Sequence, residues 1–180
     1  MPARIEDEEI FKICESFGYS VIKQYSLYVG NKYRRRIVVK DSDGFLYDSE
    51  LWIVTSGKAM KKVHKSNPFS IENIQKWIEI NEKDFYLKSG NIYVADSEKL
   101  VFSCGVCGDD FTNSWKSIFQ NSGCGKCHGL QVGKFNNLEF THKDLILEWD
   151  ESNDFYPNSV TRGSHKKVVW KCSKCSSNWT

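Results

Sequence analysis

Two pairs of cysteines with the same internal spacing constrain this chain more than any other feature of its sequence. Cys104 and Cys107 form one Cys-x-x-Cys pair, Cys124 and Cys127 form a second, and sixteen residues separate the pairs. Each tight Cys-x-x-Cys turn brings two sulfurs to the separation that a tetrahedral metal ion requires, and two turns supply four ligands. Neighbouring glycines favour such turns, whose backbone N–H groups point at sulfur. The spacing predicts one structural Zn²⁺ ion bound by four thiolates.

The predicted centre is closed, because four thiolates fill the tetrahedral shell and leave no position for water or substrate. We therefore expect it to stabilise structure and not to catalyse a reaction. Two other uses of these cysteines fit less well. Cys124-Gly-Lys-Cys127-His128 matches the haem-attachment pattern, which would require export and would leave the first pair without a role. A redox Cys-x-x-Cys would need a βαβ context, which the sequence does not show.

Other candidate ligands are better explained as ordinary structural or surface groups. The histidines are scattered, and His128 is the best spare ligand because it follows Cys127. Cys14 is expected on the buried face of a helix. One acidic group could resemble a metal-dependent nuclease centre, but no lysine follows at matched spacing, so turn and surface acids are the better interpretation. Its members are Asp41, Asp43, Asp48 and Glu50.

Composition favours several small cores over one large one. The chain has 180 residues, and its aromatic residues, 14% of the total, are spread along its length. Small domains often need a metal to supplement burial. Neither a membrane span nor the apolar core of a signal peptide is found, so we expect a cytoplasmic protein with no membrane partner. Seven cysteines in that reducing compartment favour metal binding over disulfides.

The predicted fold class is α+β, with small zinc-ribbon or treble-clef-like β-hairpin units joined by short helices. Helices are expected at 6–17 and 71–81, strands near 19–29, 36–40, 100–103 and 168–171, and a loop at 131–142. The segment 111–120 fits either a strand or a helix. Four regions are expected: a helix plus a metal-free hairpin unit at 1–66, a connector helix at 67–82, a four-cysteine zinc-binding unit at 83–142 and an incomplete zinc-ribbon repeat at 143–180.

Three segments share one pattern, in which an apolar strand enters a tight turn and an aromatic residue comes after it. The turn is Cys104-x-x-Cys107 in one copy and Cys172-x-x-Cys175 in another. The earliest copy, after Ile37-Val38-Val39, carries Asp41-Ser42-Asp43-Gly44 and is expected to bind no metal. Cys172 and Cys175 form only half a site, since a further pair at the same sixteen-residue spacing would fall beyond Thr180.

The C-terminal copy resembles a known family. Leu145-x-x-Glu148-Trp149, Asn153, Pro157, Gly163-Ser164 and Trp170-Lys171-Cys172-x-x-Cys175 match the zinc-ribbon, or treble-clef, repeats of phage, bacterial and mobile-element proteins. The stretch from Gly44 to Ile74 resembles modules that precede such repeats. The resemblance implies nucleic-acid binding. These repeats are often fused to an endonuclease domain of the very-short-patch-repair type, which nothing in this chain resembles. The glycine usual after the second knuckle cysteine is replaced by Ser176.

Charge is distributed in blocks, although the net charge is only +2. Residues 21–65 carry ten basic and four acidic side chains, and residues 155–180 carry five basic and none acidic. Lysine and arginine in such blocks favour phosphate contacts. The candidate nucleic-acid-binding residues are Lys32, Arg34, Arg35, Arg36, Lys58, Lys61, Lys62, Lys65, Arg162, Lys166 and Lys167. Tyr33, Trp52 and Trp170 are candidates for stacking on bases.

Three functions remain open from the sequence. The first is a nucleic-acid-binding module, with DNA as the expected partner and no enzymatic activity. The second is an adaptor or inhibitor that binds a host or defence protein, which the near-neutral net charge would suit. The third is the targeting half of a nuclease whose catalytic domain would lie beyond residue 180. Oligomeric state is not predicted.

Overall fold

The computed structural model describes residues 6–180 and divides them into two compact units. The first unit runs to Lys83 and also takes in Leu87–Leu100 and Asn113–Lys116. The second contains Asp84–Tyr86, Val101–Thr112 and Ser117–Thr180. Residues 1–5, which the predicted 1–66 region includes, lie outside the described residues. Short helices and small antiparallel sheets make up the structure, which confirms the α+β class. No helix within 6–180 is both long and apolar enough to cross a membrane.

Helix α1 (Asp7–Ser16) confirms the first predicted helix. Its first turn holds three acidic residues, which the partial positive charge at a helix N-terminus stabilises. Ile10 and Cys14, one turn apart, are fully buried, as predicted for Cys14. Gly18 ends the helix at φ 77°, a left-handed conformation that glycine adopts without steric cost.

The first sheet has the order β1-β2-β3 and is antiparallel. Its strands are β1 (Tyr19–Val29), β2 (Lys32–Asp41) and β3 (Leu46–Glu50). Ile37 and Val39 lie on one face of β2 and are fully buried, while Val38, on the opposite face, is 7% exposed, so this part of the strand is covered on both sides. Ile37 and Val39 pack in one core with Ile10, Cys14, Phe45, Tyr47, Leu51 and Val54.

The turn between β2 and β3 is organised by the Asp41 side chain. Its Oδ1 accepts hydrogen bonds from the backbone N–H groups of Asp43 and Phe45, at 3.1 and 2.9 Å. The Tyr47 hydroxyl donates to the other carboxylate oxygen at 2.8 Å. Burial first, and then this hydrogen bond to Asp41, raises the pKa of Tyr47 well above that of a free tyrosine. The predicted metal-free turn therefore has a carboxylate at its centre.

Two short helices complete the first unit, and only the longer one was predicted. α3 (Ser70–Ile80) corresponds to the helix expected at 71–81, whereas α2 (Leu51–Thr55) directly follows β3 and was not anticipated. Ile74 and Ile78 lie one turn apart on α3 and are almost fully buried. The helix therefore contributes to a core in addition to connecting segments.

Two buried asparagines fasten the basic loop that precedes α3. Asn73 is 1% exposed; its amide donates to the carbonyls of Leu46 and Lys62 and accepts from the Leu46 N–H. The Asn67 amide also donates to Leu46, and to the carbonyls of Lys61 and Lys62. Buried amides of this kind are retained because each polar group finds a partner.

The second unit is built around an aromatic cluster and a metal-ligand turn. The strands nearest the turn are β4 (Phe85–Leu87), β5 (Lys99–Cys104) and β6 (Asp110–Ser114), which form a sheet of order β4-β5-β6. Phe85, Phe102 and Phe111 pack with ring centroids 5.4 to 5.7 Å apart. Helix α4 (Trp115–Phe119) comes directly after β6, so the ambiguous 111–120 segment contains both a strand and a helix.

The C-terminal segment contains little regular secondary structure. It contains α5 (Leu138–Thr141), α6 (Lys143–Ile146), a 3-10 turn at Pro157–Ser159, β7 (Trp170–Lys171) and β8 (Asn178–Trp179). The prediction of a loop throughout 131–142 is therefore wrong over α5. The missed signal is Asn137, whose side chain caps α5 by accepting from the Phe140 N–H at 2.9 Å.

Candidate metal centre

The first Cys-x-x-Cys turn, or first knuckle, is Cys104–Cys107 and begins at the last residue of β5. Its backbone closes with two hydrogen bonds, from the Cys104 N–H to the Asp109 carbonyl and from the Gly108 N–H to the Cys104 carbonyl, each 2.9 Å long. Gly108 has φ 73°, so glycine is favoured there for a conformational reason. The turn places Cys104, which is buried, and Cys107, which is half-buried, at the end of the strand.

The second Cys-x-x-Cys turn, or second knuckle, is Cys124–Cys127. It comes after α4 and is stabilised by backbone hydrogen bonds. The His128 N–H donates to the Cys124 carbonyl at 3.1 Å, and the Leu130 N–H donates to the Gly125 carbonyl at 2.8 Å. Cys124 is buried and Cys127 is exposed. The centre therefore lies at the surface, with one ligand of each pair buried and the other more accessible.

The four cysteine sulfurs converge on one point. Their Sγ atoms all lie within 4.8 Å of one another, with Cys104 and Cys127 separated by 3.5 Å and Cys107 and Cys124 by 3.7 Å. A Zn–S bond of about 2.3 Å in a tetrahedron places two sulfurs about 3.8 Å apart. These distances fit one Zn²⁺ ion, with each close sulfur pair drawn from both knuckles. A structural zinc ion is the cofactor that this cluster supports.

The pKa shifts of the clustered thiols also favour binding of a cation. Burial raises the pKa of the Cys104 thiol, but hydrogen bonds from the backbone N–H groups of Cys107 and Val106 and from the neighbouring thiols together outweigh it, so the net pKa is lowered. Burial and then the neighbouring sulfurs raise the pKa of Cys127, and burial is the main cause of the raised pKa of Cys107. Without a cation, one thiolate suppresses ionisation of its neighbours. A divalent ion removes that conflict, since all four ligands can then be ionised.

Groups around the centre connect the two knuckles. Lys126 forms an ion pair with Asp109 at 3.1 Å, which links a residue of the second knuckle to the residue after Gly108. Asn136 donates to the carbonyls of Lys126 and Gln131. His128, the best spare ligand on sequence grounds, is not part of the four-residue cluster.

The third knuckle has the same backbone as the first. The Cys172 N–H donates to the Ser177 carbonyl and the Ser176 N–H to the Cys172 carbonyl, both at 2.9 Å. Ser176 occupies the position of Gly108 and adopts the same left-handed conformation, at φ 61°. Within residues 6–180, no third or fourth metal-ligating side chain joins Cys172 and Cys175.

Glu148 holds this third knuckle, a role that its place in the Leu-x-x-Glu-Trp motif did not reveal. Its Oε1 accepts from the Ser173 hydroxyl at 2.7 Å and from the Ser173 N–H at 3.0 Å. These two bonds are the main reason that the pKa of Glu148 is lowered. Asn153 acts similarly behind the strand, exchanging hydrogen bonds of 2.8 Å with the backbone N–H and carbonyl of Val169.

The acidic residues of the first unit form no metal cluster with one another. Asp41 organises its turn, Asp48 binds Arg36 and Tyr25, and Glu50 binds Arg34 and Trp52. Asp41 thus has a turn role, as expected, whereas Asp48 and Glu50 are partly buried in ion pairs with arginines. Within residues 6–180, the four cysteines are the metal-ligand group that the structure offers.

The first basic block is divided by its ion pairs. Arg36, only 21% exposed at the side chain, binds Asp48 at 2.9 Å and also donates to the Tyr25 hydroxyl. Arg34 pairs with Glu50, and Lys62 lies near Asp41 and Asp43. The remaining members are exposed: Lys32, Arg35, Lys58, Lys61 and Lys65. Arg35 has one long contact of 3.5 Å with Asp7, and Lys58 lies over the Trp52 ring.

The second basic block is exposed, and residues 155–180 contain no acidic side chain. Arg162, Lys166 and Lys167 are all exposed, and none forms an ion pair with another residue of 6–180. The Lys166 Nζ lies 4.4 Å from the centroid of the Phe155 ring, in a cation–π contact. Of the candidate stacking residues, Tyr33 is 77% exposed, whereas Trp170 packs between Trp149 and Trp179.

Comparison with known proteins links the C-terminal segment to a family of zinc fingers. The family described as "Probable Treble clef zinc finger domain" matches residues 145–180, the segment that contains the third knuckle. No curated protein matches the chain. Residues 145–180 are thus similar to a treble-clef zinc finger, and the chain carries a four-cysteine zinc centre N-terminal to the matched segment.

Proposed function

We propose that the chain is a zinc-stabilised nucleic-acid-binding module, with DNA as its partner. The observation that carries the proposal is the segment 155–180, which bears five basic and no acidic side chains beside a zinc-finger knuckle. Arg162, Lys166 and Lys167 are exposed there without carboxylate partners among the described residues. Their charge is therefore available to phosphates.

The metal centre supports binding and not catalysis. Four sulfurs close the coordination shell, so the ion has no position at which to activate water. Its contribution is to fix the turns from which surface loops project. We place this module in a reducing cytoplasm, where the thiolates stay available to zinc, and consider the targeting part of a nuclease a suitable biological setting.

The loop at 58–65 adds a second cationic surface on the first unit. Lys58, Lys61 and Lys65 are exposed, and Asn67 and Asn73 hold the backbone carbonyls of Lys61 and Lys62 between them. Neutralising phosphates releases condensed counterions, so affinity should fall steeply as salt rises. Each lost phosphate contact lowers the slope of log K against log salt by about 0.9 on duplex DNA.

Salt-titrated fluorescence anisotropy with a mixed-sequence DNA duplex of about 20 base pairs, long enough for several phosphate contacts, tests the proposal. The variant Arg162→Ala/Lys166→Ala/Lys167→Ala should bind more weakly and lose roughly two to three units of salt slope. The matched control is Lys12→Ala/Lys99→Ala/Lys143→Ala, which removes the same charge from exposed positions elsewhere. An affinity that does not change with salt, or equal losses in both variants, would rule out the proposal.

A protein-binding adaptor or inhibitor of a host or defence protein is the second candidate. The observation that favours it is apolar exposure just after the second knuckle, where Leu130 is 84%, Phe135 43% and Phe140 49% exposed. Exposed apolar groups that cluster on a small domain mark contact surfaces. Recovery of one stoichiometric protein partner that Leu130→Ser abolishes, with no retention on DNA, would favour this function.

A further inference from the structure

The outer parts of β1 and β2 form an arm, residues 26–35, that no third strand from residues 6–180 covers. β3 pairs with β2 only as far as Arg36, opposite Glu50, whereas β1 and β2 remain paired out to Val29 and Lys32. All ten residues of the arm are exposed. With a rise of about 3.3 Å per residue, five residues on each side extend roughly 15 Å beyond the three-stranded sheet.

The charge of this ribbon has one sign. Residues 19–40 contain six lysines and arginines and no acidic residue. Arg36 and Arg34 are paired with carboxylates of β3, but Lys32 has no ion-pair partner among residues 6–180. Arg35 has two long contacts of 3.5 Å, with the side chains of Asp7 and Gln24. An exposed positive ribbon of this kind is complementary to a polyanion.

The two faces of the arm differ, because cross-strand partners share a face. Tyr28 pairs with Tyr33 and Ser26 with Arg35, and the two tyrosine rings contact each other with centroids 4.9 Å apart. The opposite face carries Leu27, Val29, Lys32 and Arg34. The tyrosine face thus presents hydroxyl and guanidinium groups at the outer end of an exposed ribbon, with Tyr28 58% and Tyr33 77% exposed.

A bulge interrupts β1 before the arm, within the part of the sheet that β3 also covers. The pairing of β1 with β2 shifts between Val21 and Lys23, so that Ile22 is an extra residue. Bulges increase strand twist and change the direction of the strand beyond them. The tyrosine face continues the face that carries buried Ile37 and Val39, yet it projects past the core instead of covering it.

We propose that the arm enters the major groove of B-form DNA with its tyrosine face toward the base edges, an inference that rests on the proposed function. That groove is about 12 Å wide and admits a two-stranded β-ribbon. The tyrosine and serine hydroxyls and the Arg35 guanidinium are donors that suit the acceptors displayed there. Lys32, on the other face, reaches toward the phosphates. Duplex RNA is disfavoured, since its major groove is too narrow for such a ribbon.

Two measurements on the 180-residue chain test this inference. The first compares affinities of two charge-neutral variants for the same DNA duplex, a duplex RNA and a single strand. Tyr28→Ser/Tyr33→Ser alters the tyrosine face, and Leu27→Ser/Val29→Ser is the matched control on the opposite face. We expect the first variant to bind duplex DNA roughly tenfold more weakly and the control to change less than about twofold. Circular dichroism checks that both are folded.

The second measurement needs no variant. Dimethyl sulfate methylates guanine N7 in the major groove and adenine N3 in the minor groove, so bound wild-type protein should protect N7 and leave N3 reactive. Protection that disappears in Tyr28→Ser/Tyr33→Ser would support the arm as its source.

The outcomes separate this inference from the proposed function. If wild type and the tyrosine variant bind duplex DNA equally, or if bound protein leaves guanine N7 reactive, the proposal that the arm enters the major groove is wrong. The proposed nucleic-acid-binding function is unaffected by that result. Equal or tighter binding to duplex RNA or a single strand also overturns the proposal for the arm. A dimer that Leu27→Ser/Val29→Ser dissociates would overturn it by assigning the arm to a second copy of the chain. No binding to any nucleic acid would overturn both proposals.

Discussion

The turn at Asp41 and the knuckle at Cys104 both reverse the chain after a strand, but a carboxylate stabilises the first and metal-binding thiolates the second. Both come after an apolar strand and lead through a left-handed glycine, Gly44 at φ 92° and Gly108 at φ 73°, into a second strand and a short helix. In both, the first residue donates its N–H across the turn and accepts one back from the glycine. The Asp41 turn is one residue shorter and holds a carboxylate where the knuckle holds thiolates.

The difference shows how a backbone turn can be stabilised locally or at a distance. Asp41 satisfies two N–H groups of its own turn and a tyrosine hydroxyl six residues away, so its carboxylate acts mainly within its own hairpin. Cys104 and Cys107 instead depend on Cys124 and Cys127, and therefore on an ion that joins two turns. The metal version links distant segments, whereas the carboxylate version completes only its own hairpin.

Removing a zinc ligand should produce the largest effect and should leave the Asp41 unit intact. Cys124→Ser deletes a buried ligand, and we expect zinc content to fall from about one ion per chain toward zero, with a loss of several kcal/mol in the second unit. Metal analysis measures the first result, and hydrogen exchange of the two units measures the second. Equal deprotection of 10–55 would show that the two turns are not independent.

Removing the carboxylate should mirror that result in the first unit. Asp41→Ala leaves two N–H groups and the Tyr47 hydroxyl without their acceptor, and we expect a loss of about 3 kcal/mol in the free energy of unfolding of that unit. Zinc content should not change. Chemical denaturation measures the loss, with Asp41→Asn, which keeps one oxygen, as the milder control.

A smaller loss of stability is expected from breaking the ion pair between Arg36 of β2 and Asp48 of β3. Arg36→Ala leaves Asp48, whose side chain is 12% exposed, without its cation and should cost about 2 kcal/mol. The double variant Arg36→Ala/Asp48→Ala should recover part of that loss. A drop in DNA affinity with unchanged stability would instead place Arg36 on the binding surface.

The smallest effect should come from restoring the glycine that the first two turns share. Ser176 adopts φ 61° at the position of Gly108, so Ser176→Gly removes backbone strain and should stabilise the third knuckle by about 0.5 kcal/mol. Amide exchange at Ser176 and Ser177 should slow accordingly. Faster exchange would mean that the serine side chain, and not the conformation, maintains this turn.

Local patterns predicted those parts of the molecule in which neighbours in sequence determine structure. Cysteine spacing indicated the zinc ligands, apolar periodicity indicated α1 and α3, and the Asp-Gly signal indicated the β2–β3 turn. The short helices α2 and α5 escaped prediction, because four or five residues are too few for a periodic pattern.

Partners distant in sequence could not be predicted, because they depend on which strand lies opposite. Arg36 belonged to a basic run in sequence, yet pairing with β3 places it beside Asp48. Glu148 was recognised as part of a motif, but its bonds to Ser173 span 25 residues. Asn67 and Asn73 likewise donate to the Leu46 carbonyl, which lies 21 and 27 residues away in sequence.

The two buried asparagines have a consequence for the kinetics of recognition. Because they hold the carbonyls of Lys61 and Lys62, the backbone that displays Lys61 is fixed before any partner arrives. A surface ordered in advance loses little entropy on contact, so productive encounters depend on orientation and not on loop folding. The same fixed backbone should resist trypsin, which must locally unfold a chain to cleave after lysine.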